Sequence, residues 1–326
     1  MINDFDRFFL HLPPLDKEKD FNSFWEKAFT DLKKIPIDPA IEKKTEQSEK
    51  EKFEIYNTTF NGAGKYKVKG ELHIPKNILK PKVIILIHDY NQPFDCIIND
   101  IDSDIAYFFL QLRGHDLLFI EPQNNIDKNK SNKSNKAEKK LPGFMIENIL
   151  EINNYYVKNI YLDVFRSIDF LRLCDMINCS SIGIIGKGLG ASSAVFAAGC
   201  SNRIKSLVLD SPSFCYLELS QNISKSDASN EINSFLSSNQ SKKKTVKKNL
   251  SYFDSINHAD KINIPILAAV GLKDTFSPPE CIFALFNHLK CNKTIEVYPE
   301  EDHTAGGEMQ LKKSIEWTKN ILVNED

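Results

Sequence analysis

The sequence predicts an α/β protein with a mostly parallel central sheet of about eight strands and helices on both faces. Short apolar runs such as "KVIILI" (82–87) and "PILAAVG" (265–271) have the continuous hydrophobicity of strands buried on both faces. These runs alternate with longer helical patterns, which is the order found in parallel sheets with helical crossovers. The 326 residues are enough for one large domain.

Individual segments follow this pattern from the N-terminus onward. The stretch "KDFNSFWEKAFTDLKK" (19–34) has its aromatic residues on one helical face, and "FEIYNTTF" (53–60) and "KYKVKGELHI" (65–74) have the character of strands. We predict a helix that stops at a glycine for "DIAYFFLQLRG" (104–114) and a short buried strand for "DLLFI" (116–120). Strands and helices then alternate to the end of the chain.

A single domain, residues 1–326, accounts for this order, with three additions to the sheet. Residues 1–50 are predicted as an N-terminal helical extension. Residues 124–142 are polar and low in complexity, which is typical of a flexible insert. Residues 217–250 are rich in serine, asparagine and lysine, and we predict that they form a helical cap inserted above the sheet.

Composition excludes several classes of function. A formal net charge of −2 gives no electrostatic reason to expect nucleic acid or an anionic membrane as a partner. No apolar run approaches the ~18 residues of a membrane-spanning helix, and the N-terminus lacks the pattern of a signal peptide. The seven cysteines include no C-x-x-C pair, which favours thiols in a reducing cytoplasm over a disulfide or zinc framework. We expect a cytoplasmic protein with no metal and no cofactor.

The most informative segment is "IGIIGKGLGASSAVFAAG" (182–199), which has the pattern of a strand, a glycine turn and a helix. In the plainest interpretation, the glycines only turn the chain and let the helix pack closely on the sheet.

A second interpretation is a dinucleotide-binding loop. Gly186, Gly188 and Ala191 fit G-x-G-x-x-A, and Asp210 ends the next strand, where an acid that binds ribose is expected. Against it, the motif follows several strands instead of opening a βαβ unit.

A third interpretation is a nucleophile elbow, G-x-S-x-G, in which Gly188 occupies the serine position. Such an elbow requires an acid and then a histidine after later strands. Asp274 follows the strand "PILAAVG", and His303 follows the strand "TIEVY", in the required order. Together they favour the hydrolase plan over the dinucleotide plan.

Several longer segments resemble the acetyl xylan esterases and cephalosporin C deacetylases, which are carbohydrate esterases of the α/β-hydrolase fold. "LIHDYN" (86–91) resembles the H-G-Y-N oxyanion segment of that family, and "DFNSFWEKAF" resembles its N-terminal helix. The other similar segments are "YYVKNIYLDVFRSIDFL" (155–171), "LSYFDSINHADKINIPIL" (250–267), "GLKDTFSPPECIFALFNHL" (271–289) and "YPEEDHTAGG" (298–307). The resemblance covers almost the whole chain. It implies an α/β-hydrolase fold, with deacetylation of acetylated sugars or small acetyl esters as the parent activity.

Three departures from the family pattern concern its active site. Gly188 stands at the position of the nucleophilic serine, and Asp89 replaces the glycine of H-G-Y-N. "FIEPQNNID" (119–127) is assigned to the place of an Asp-x-Arg-Gly-Gln-Gly turn, so that Glu121 takes the aspartate position and the arginine is absent.

The resemblance assigns roles to the site residues that are present. Asp274 and His303 are the remaining acid and base, and the backbone N–H groups of Tyr90 and Leu189 form the oxyanion hole. Loss of the nucleophile from a serine hydrolase costs on the order of 10⁶ in kcat. A negative charge on Asp89, beside the oxyanion donors, would oppose a developing oxyanion.

Two hypotheses about function follow. The one we favour is a non-catalytic homologue that binds a small acetylated ligand or a partner. The other is a weak hydrolase in which the His303–Asp274 pair activates water directly. Ser192 and Ser193 are the nearest hydroxyl groups, but both lie in the following helix, where packing is their expected role. The resemblance also implies a homo-oligomer.

Overall fold

The computed structural model describes residues 5–45, 52–92, 104–115 and 141–324. The strands within these ranges are β1 (Ala40–Lys43), β2 (Phe53–Asn61), β3 (Lys67–Pro75), β4 (Lys82–Ile87), β5 (Ala106–Leu110), β6 (Asn178–Lys187), β7 (Ile204–Asp210), β8 (Ile266–Gly271) and β9 (Lys293–Tyr298). In this described part of the chain they form one nine-stranded sheet, in the order β1-β2-β3-β5-β4-β6-β7-β8-β9. The sheet is therefore close to the eight strands predicted.

Strand direction divides the sheet into two parts. The pairs β1–β2, β2–β3 and β3–β5 are antiparallel. From β5 through β4, β6, β7 and β8 to β9, every pair is parallel. The carboxyl ends of parallel strands lie at one edge of a sheet, so the loops after β4, β6, β8 and β9 meet there. The predicted mostly parallel sheet of an α/β-hydrolase is confirmed.

Helices cover both faces of the sheet. They are α1 (Asp6–Leu10), α2 (Phe21–Lys33), α3 (Tyr156–Leu171), α4 (Leu189–Cys200), α5 (Leu217–Ile223), α6 (Asp227–Ser238), α7 (Lys243–Ser251), α8 (Pro279–His288) and α9 (Gly307–Val323). Side chains of β4 alternate between two cores: Val83 and Ile85 pack with α2, α3 and α4, and Ile84 and Leu86 pack with α9. Among the described residues, no helix combines the length and the apolar character needed to cross a membrane.

One predicted helix is wrong. Residues 106–110, inside the segment 104–114, form strand β5, which pairs in parallel with β4 and antiparallel with β3. All five residues of β5 are buried, because a central strand is covered on both faces. Such a run has no period-2 alternation, so periodicity alone does not separate it from a buried helix. The strand predicted over 116–120 and the proposed position of Glu121 lie outside the described residues, as does most of the insert 124–142.

The turn after β5 contains an arginine that binds α3. Since β5 is the strand between β3 and β4, the turn that follows it is "QLRGH" (111–115), which contains an Arg-Gly pair. Arg113 donates hydrogen bonds to both carboxylate oxygens of Asp163 on α3, at 2.9 and 3.0 Å, and a third to the carbonyl of Ala63. This largely buried, bidentate ion pair fixes the turn against α3.

The N-terminal segment and the cap both pack onto the domain. Helix α1 lies against α8, where Phe8 stacks on Phe283 with ring centroids 5.0 Å apart. Residues 40–43 add strand β1 to the sheet edge, so residues 1–50 are not entirely helical. Residues 217–250 form α5, α6 and most of α7, so this segment is helical, and its role as a cap stays a prediction.

Candidate active site

The glycine turn has the geometry of a sharp strand-to-helix elbow. Strand β6 ends at Lys187, helix α4 begins at Leu189, and Gly188 lies between them with φ +52° and ψ −117°. A residue with a Cβ is strained at positive φ, and glycine is not. Gly188 therefore adopts without strain the backbone conformation that is strained for the serine of a nucleophile elbow.

Asp89 occupies the space above Gly188. A Cβ built on Gly188 would overlap the Cγ atom and both carboxylate oxygens of Asp89. Asp89 itself is buried, with 7% of its surface exposed. Its carboxylate therefore lies where the side chain of an elbow serine would begin.

The Asp89 carboxylate also takes the two backbone donors predicted for the oxyanion hole. Its Oδ1 atom accepts hydrogen bonds from the N–H of Tyr90 at 2.7 Å and from the N–H of Leu189 at 2.6 Å. The second of these donors is the first N–H of helix α4, whose positive end favours an anion. An anionic group of the protein itself is thus bound in the predicted oxyanion site.

His303 lies between two carboxylates. Its Nε2 atom is 3.0 Å from Oδ2 of Asp89, and its Nδ1 atom is 2.8 Å from Oδ2 of Asp274. Asp274 is held in turn by the backbone N–H groups of Phe276 and Ser277, both of which donate to its Oδ1 atom. The structure brings the predicted acid, base and elbow glycine together, and it places Asp89 between the histidine and the elbow.

The protonation state of His303 follows from these contacts. A neutral imidazole has one N–H, whereas two carboxylates face its two nitrogens, so both hydrogen bonds form only when the ring is protonated. Burial alone would lower the pKa of His303, but the hydrogen bonds and charges of Asp274 and Asp89 outweigh it and raise that pKa to about 10. Burial would raise the pKa of Asp89, yet His303 and the N–H groups of Leu189 and Tyr90 lower it. The group is therefore a carboxylate–imidazolium–carboxylate triad.

The loop that carries Asp89 is fixed at several points. The ring of His88 donates from Nδ1 to the Asp89 carbonyl at 2.7 Å and accepts at Nε2 from the N–H of Leu112 at 3.0 Å. Burial lowers the pKa of His88, so this ring is neutral. Asn91, with φ +54°, donates to Asp227 on α6. These bonds fix the backbone of residues 88–91, directly after β4.

A buried glutamate of the predicted cap also supports this loop, and no sequence motif points to it. Glu231 on α6 is 4% exposed and accepts the phenolic O–H of Tyr90 at 2.7 Å. It also accepts the backbone N–H groups of Gly143 and Met145, each at 2.9 Å. No motif singles out a glutamate in the polar cap sequence, because its role depends on where α6 lies over the loop.

The two nearby serines are used in packing. Ser192 and Ser193 are fully buried in α4. The hydroxyl of Ser192 donates to the carbonyl of Ser213, and that of Ser193 donates to the carbonyl of Gly190. Both hydroxyls therefore bond to backbone carbonyls rather than to His303.

A cavity of about 520 Å³ opens beside the triad. Asp89 and His303 form part of its wall. The other described residues that line it are Leu86, Ile87, His88, Gln92, Ile185, Lys187, Asp210, Phe276, Asp302, Thr304, Gly307, Glu308 and Leu311. Asp210, the predicted ribose acid, lies 3.3 Å from the ammonium group of Lys187. The described residues contain no group of three or more histidine, cysteine, aspartate or glutamate side chains that could hold a metal ion.

The chain is similar to known proteins along most of its length. The family model described as acetyl xylan esterase (AXE1) matches residues 11–321. An acetyl esterase, Axe7A, from Xylanibacter ruminicola is 21% identical over 323 residues, which is 94% of this chain and 68% of that protein.

Solved structures agree with the family match. An acetyl xylan esterase from Paenibacillus sp. R4 is 25% identical, with a TM-score of 0.84 over 98% of this chain and 100% of that one. Acetyl xylan esterase 1 from Thermoanaerobacterium sp. JW/SL YS485 has a TM-score of 0.79 over 97% of this chain and 99% of that one, at 19% identity. The second likeness concerns the fold alone.

Proposed function

Since the chain belongs to the acetyl xylan esterase family, we propose that it is a member that has lost the family's serine-esterase reaction and closes the esterase site with Asp89. One observation carries the proposal: a single carboxylate overlaps the place of a serine side chain and binds both predicted oxyanion donors and the histidine. The oxygen of an ester carbonyl would have to displace the negatively charged carboxylate of Asp89 from these two N–H groups.

The hydrolase that uses water and the His303–Asp274 pair is less well supported. A general base needs a free lone pair within reach of the proton it takes. The hydrogen bonds of His303 to two carboxylates, together with a pKa of about 10, leave both ring nitrogens protonated at neutral pH. In this state His303 does not accept a proton from water.

Dinucleotide binding is also less well supported. A pyrophosphate in such a loop uses the N–H groups at the start of the helix. The first of these, on Leu189, is bound to Asp89, and a phosphate placed there would meet the negative charge of that carboxylate. Lys187, the nearby cation, is already paired with Asp210.

The function that such a site retains is binding. We assign a small ligand to the cavity beside Asp89, and the family suggests an acetylated one. The six cysteines in the described part of the chain are free, which supports the proposed cytoplasmic location.

The experiment that tests the loss of esterase activity compares the wild-type protein with His303→Ala in the hydrolysis of p-nitrophenyl acetate. We expect both rates to equal the buffer background plus the same small non-specific contribution. A wild-type rate that is well above background and depends on His303 would contradict the proposal. Calorimetric titration with acetylated xylobiose tests the ligand separately, and a lack of saturable heat would count against the acetylated ligand alone.

A further inference from the structure

The triad has a feature that closure of the esterase site does not require. The two oxygens of Asp89 have different surroundings within the described residues, since Oδ1 accepts from both backbone N–H groups, whereas Oδ2 has one hydrogen-bond partner, His303. A carboxylate oxygen has two lone pairs in its plane, so one hydrogen bond leaves Oδ2 with a second pair. Asp89 also forms part of the cavity wall.

We propose that Asp89 is a covalent nucleophile for small alkyl electrophiles such as primary alkyl halides. Carboxylates form covalent intermediates in enzymes, and a carboxylate oxygen that keeps a lone pair at a preorganised site is suited to displacement at a saturated carbon. The proposal goes beyond the loss of acetyl-ester hydrolysis and rests on it, because the same carboxylate that excludes an ester carbonyl performs the attack.

The cavity wall fits this class of substrate. Leu86, Ile185 and Leu311 are among its lining residues and offer apolar contacts to an alkyl chain. The two cationic groups in the lining, Lys187 and His303, are already paired with carboxylates. The lining therefore matches the alkyl group, and the departing halide is released to solvent.

In the first step, Oδ2 of Asp89 attacks the carbon that carries the halide. The new O–C bond forms as the C–X bond breaks, and the halide leaves with the bonding electron pair. The product on the protein is a neutral alkyl ester of Asp89. Its carbonyl oxygen is Oδ1, which is already bound to the N–H groups of Tyr90 and Leu189.

In the second step, water hydrolyses this ester at Cγ of Asp89. Esterification removes one of the two negative charges that keep His303 protonated, so the ring loses its proton to solvent and becomes a base held by Asp274. Water gives a proton to His303 and attacks Cγ, and the negative charge develops on Oδ1 between the two backbone donors. The alkoxide leaves with the proton from His303, and the carboxylic acid left on Asp89 gives its proton to His303, which restores the starting ion pair. The balance is R–X plus water giving R–OH, a proton and X⁻.

The oxygen atoms distinguish this route from direct hydrolysis. In the first turnover, the alcohol carries an oxygen from Asp89, and the oxygen of water stays in the carboxylate. Wild-type protein treated with n-butyl bromide in water enriched in oxygen-18 should therefore gain the label in the peptide that contains Asp89. This measurement needs no variant and does not depend on how a substitution folds.

Trapping the intermediate gives the second test. In His303→Gln the ester should form and persist, because the base for its hydrolysis is lost, and intact mass should rise by one butyl group located on Asp89. Bromide release should fall by about 10² or more after the first turnover. Asp89→Asn should show no adduct. The matched control is Glu316→Gln, which alters an exposed carboxylate on α9 outside the described lining of the cavity and should react as the wild type does.

Three outcomes would overturn the proposal. They are no bromide release by folded wild-type protein, an adduct that forms equally in Asp89→Asn, and label that enters butanol without entering Asp89. The failure of the function proposed above looks different, because p-nitrophenyl acetate would then be hydrolysed in a His303-dependent manner with no label in Asp89.

Discussion

Asp89 and Gly188 share one space: the carboxylate of the first overlaps the position that a Cβ on the second would need. The two departures from the family pattern are therefore physically coupled. Asp89 reaches the N–H of Leu189 only because the elbow residue is glycine. Its carboxylate in turn forms the hydrogen bonds to the backbone donors and to His303 that an elbow serine would otherwise use. Neither change is fully described without the other.

Restoring an esterase should accordingly take two substitutions. Gly188→Ser alone should give little activity, because Asp89 still occupies the oxyanion site and overlaps the new side chain. We expect it to destabilise the fold by about 1–3 kcal/mol through strain at positive φ, with a further cost from the overlap. Gly188→Ser combined with Asp89→Gly should hydrolyse p-nitrophenyl acetate measurably, with kcat/KM as the readout.

The control for this restoration is the double variant with His303→Ala added, which should return to background. Asp89→Gly alone should also be inactive, since it vacates the site without supplying a nucleophile. If Gly188→Ser alone were as active as the double variant, Asp89 would not block the site.

The proton on His303 can be observed directly. In the wild-type protein its ring should stay protonated through neutral pH, because two carboxylates hold its pKa near 10. Asp89→Asn removes one of these charges, while burial still favours the neutral ring, so the pKa of His303 should fall clearly. Titration of the imidazole signals by NMR checks both expectations, and an unchanged pKa in Asp89→Asn would show that the Asp89 contact is not an ion pair.

Stability should depend on pH with a sign set by these shifts. The folded-state pKa of His303, about 10, lies above its unfolded value of about 6.5. Its contribution is therefore fully present below about pH 6.5 and is lost as pH rises to about 10, with a slope of up to about 1.4 kcal/mol per pH unit. Asp89, whose pKa is lowered, contributes above about pH 3.9 and loses its contribution as pH falls through the lower folded value.

Denaturation in urea across these ranges is the measurement. His303→Gln is the comparison variant for the alkaline range, because other groups titrate there in both proteins and their effects cancel. Equal alkaline slopes in the two proteins would contradict the assignment of a raised pKa to His303.

The cap should contribute to the site through Glu231. In Glu231→Gln an N–H₂ group replaces one carboxylate oxygen, so at least one of the donors on Tyr90, Gly143 and Met145 loses its acceptor. We expect a loss of about 1–3 kcal/mol in unfolding free energy, measured in urea. Tyr90→Phe is the matched variant, since it removes one of these hydrogen bonds and leaves the charge. It should cost less than Glu231→Gln, and the reverse order would show that the carboxylate is not the central acceptor.

The sequence alone was sufficient for the α/β-hydrolase fold and for the order of elbow, acid and histidine. Apolar runs and their alternation with helices report local burial, and motif order along the chain does not depend on atomic positions. The prediction of a helix over residues 106–110 was wrong because a strand covered on both faces has the same apolar pattern as a buried helix.

Only the tertiary structure decided what fills the elbow. The sequence presents Asp89 as a nearby negative charge and Gly188 as a missing hydroxyl, separated by 98 other residues. Whether a carboxylate lies beside a site or within it depends on the path of the loop after β4, and that path is set by long-range contacts to Leu112, Asp227 and Glu231. Contacts between distant segments have no local pattern to reveal them, so the position of a carboxylate to within an ångström is a property of the folded chain.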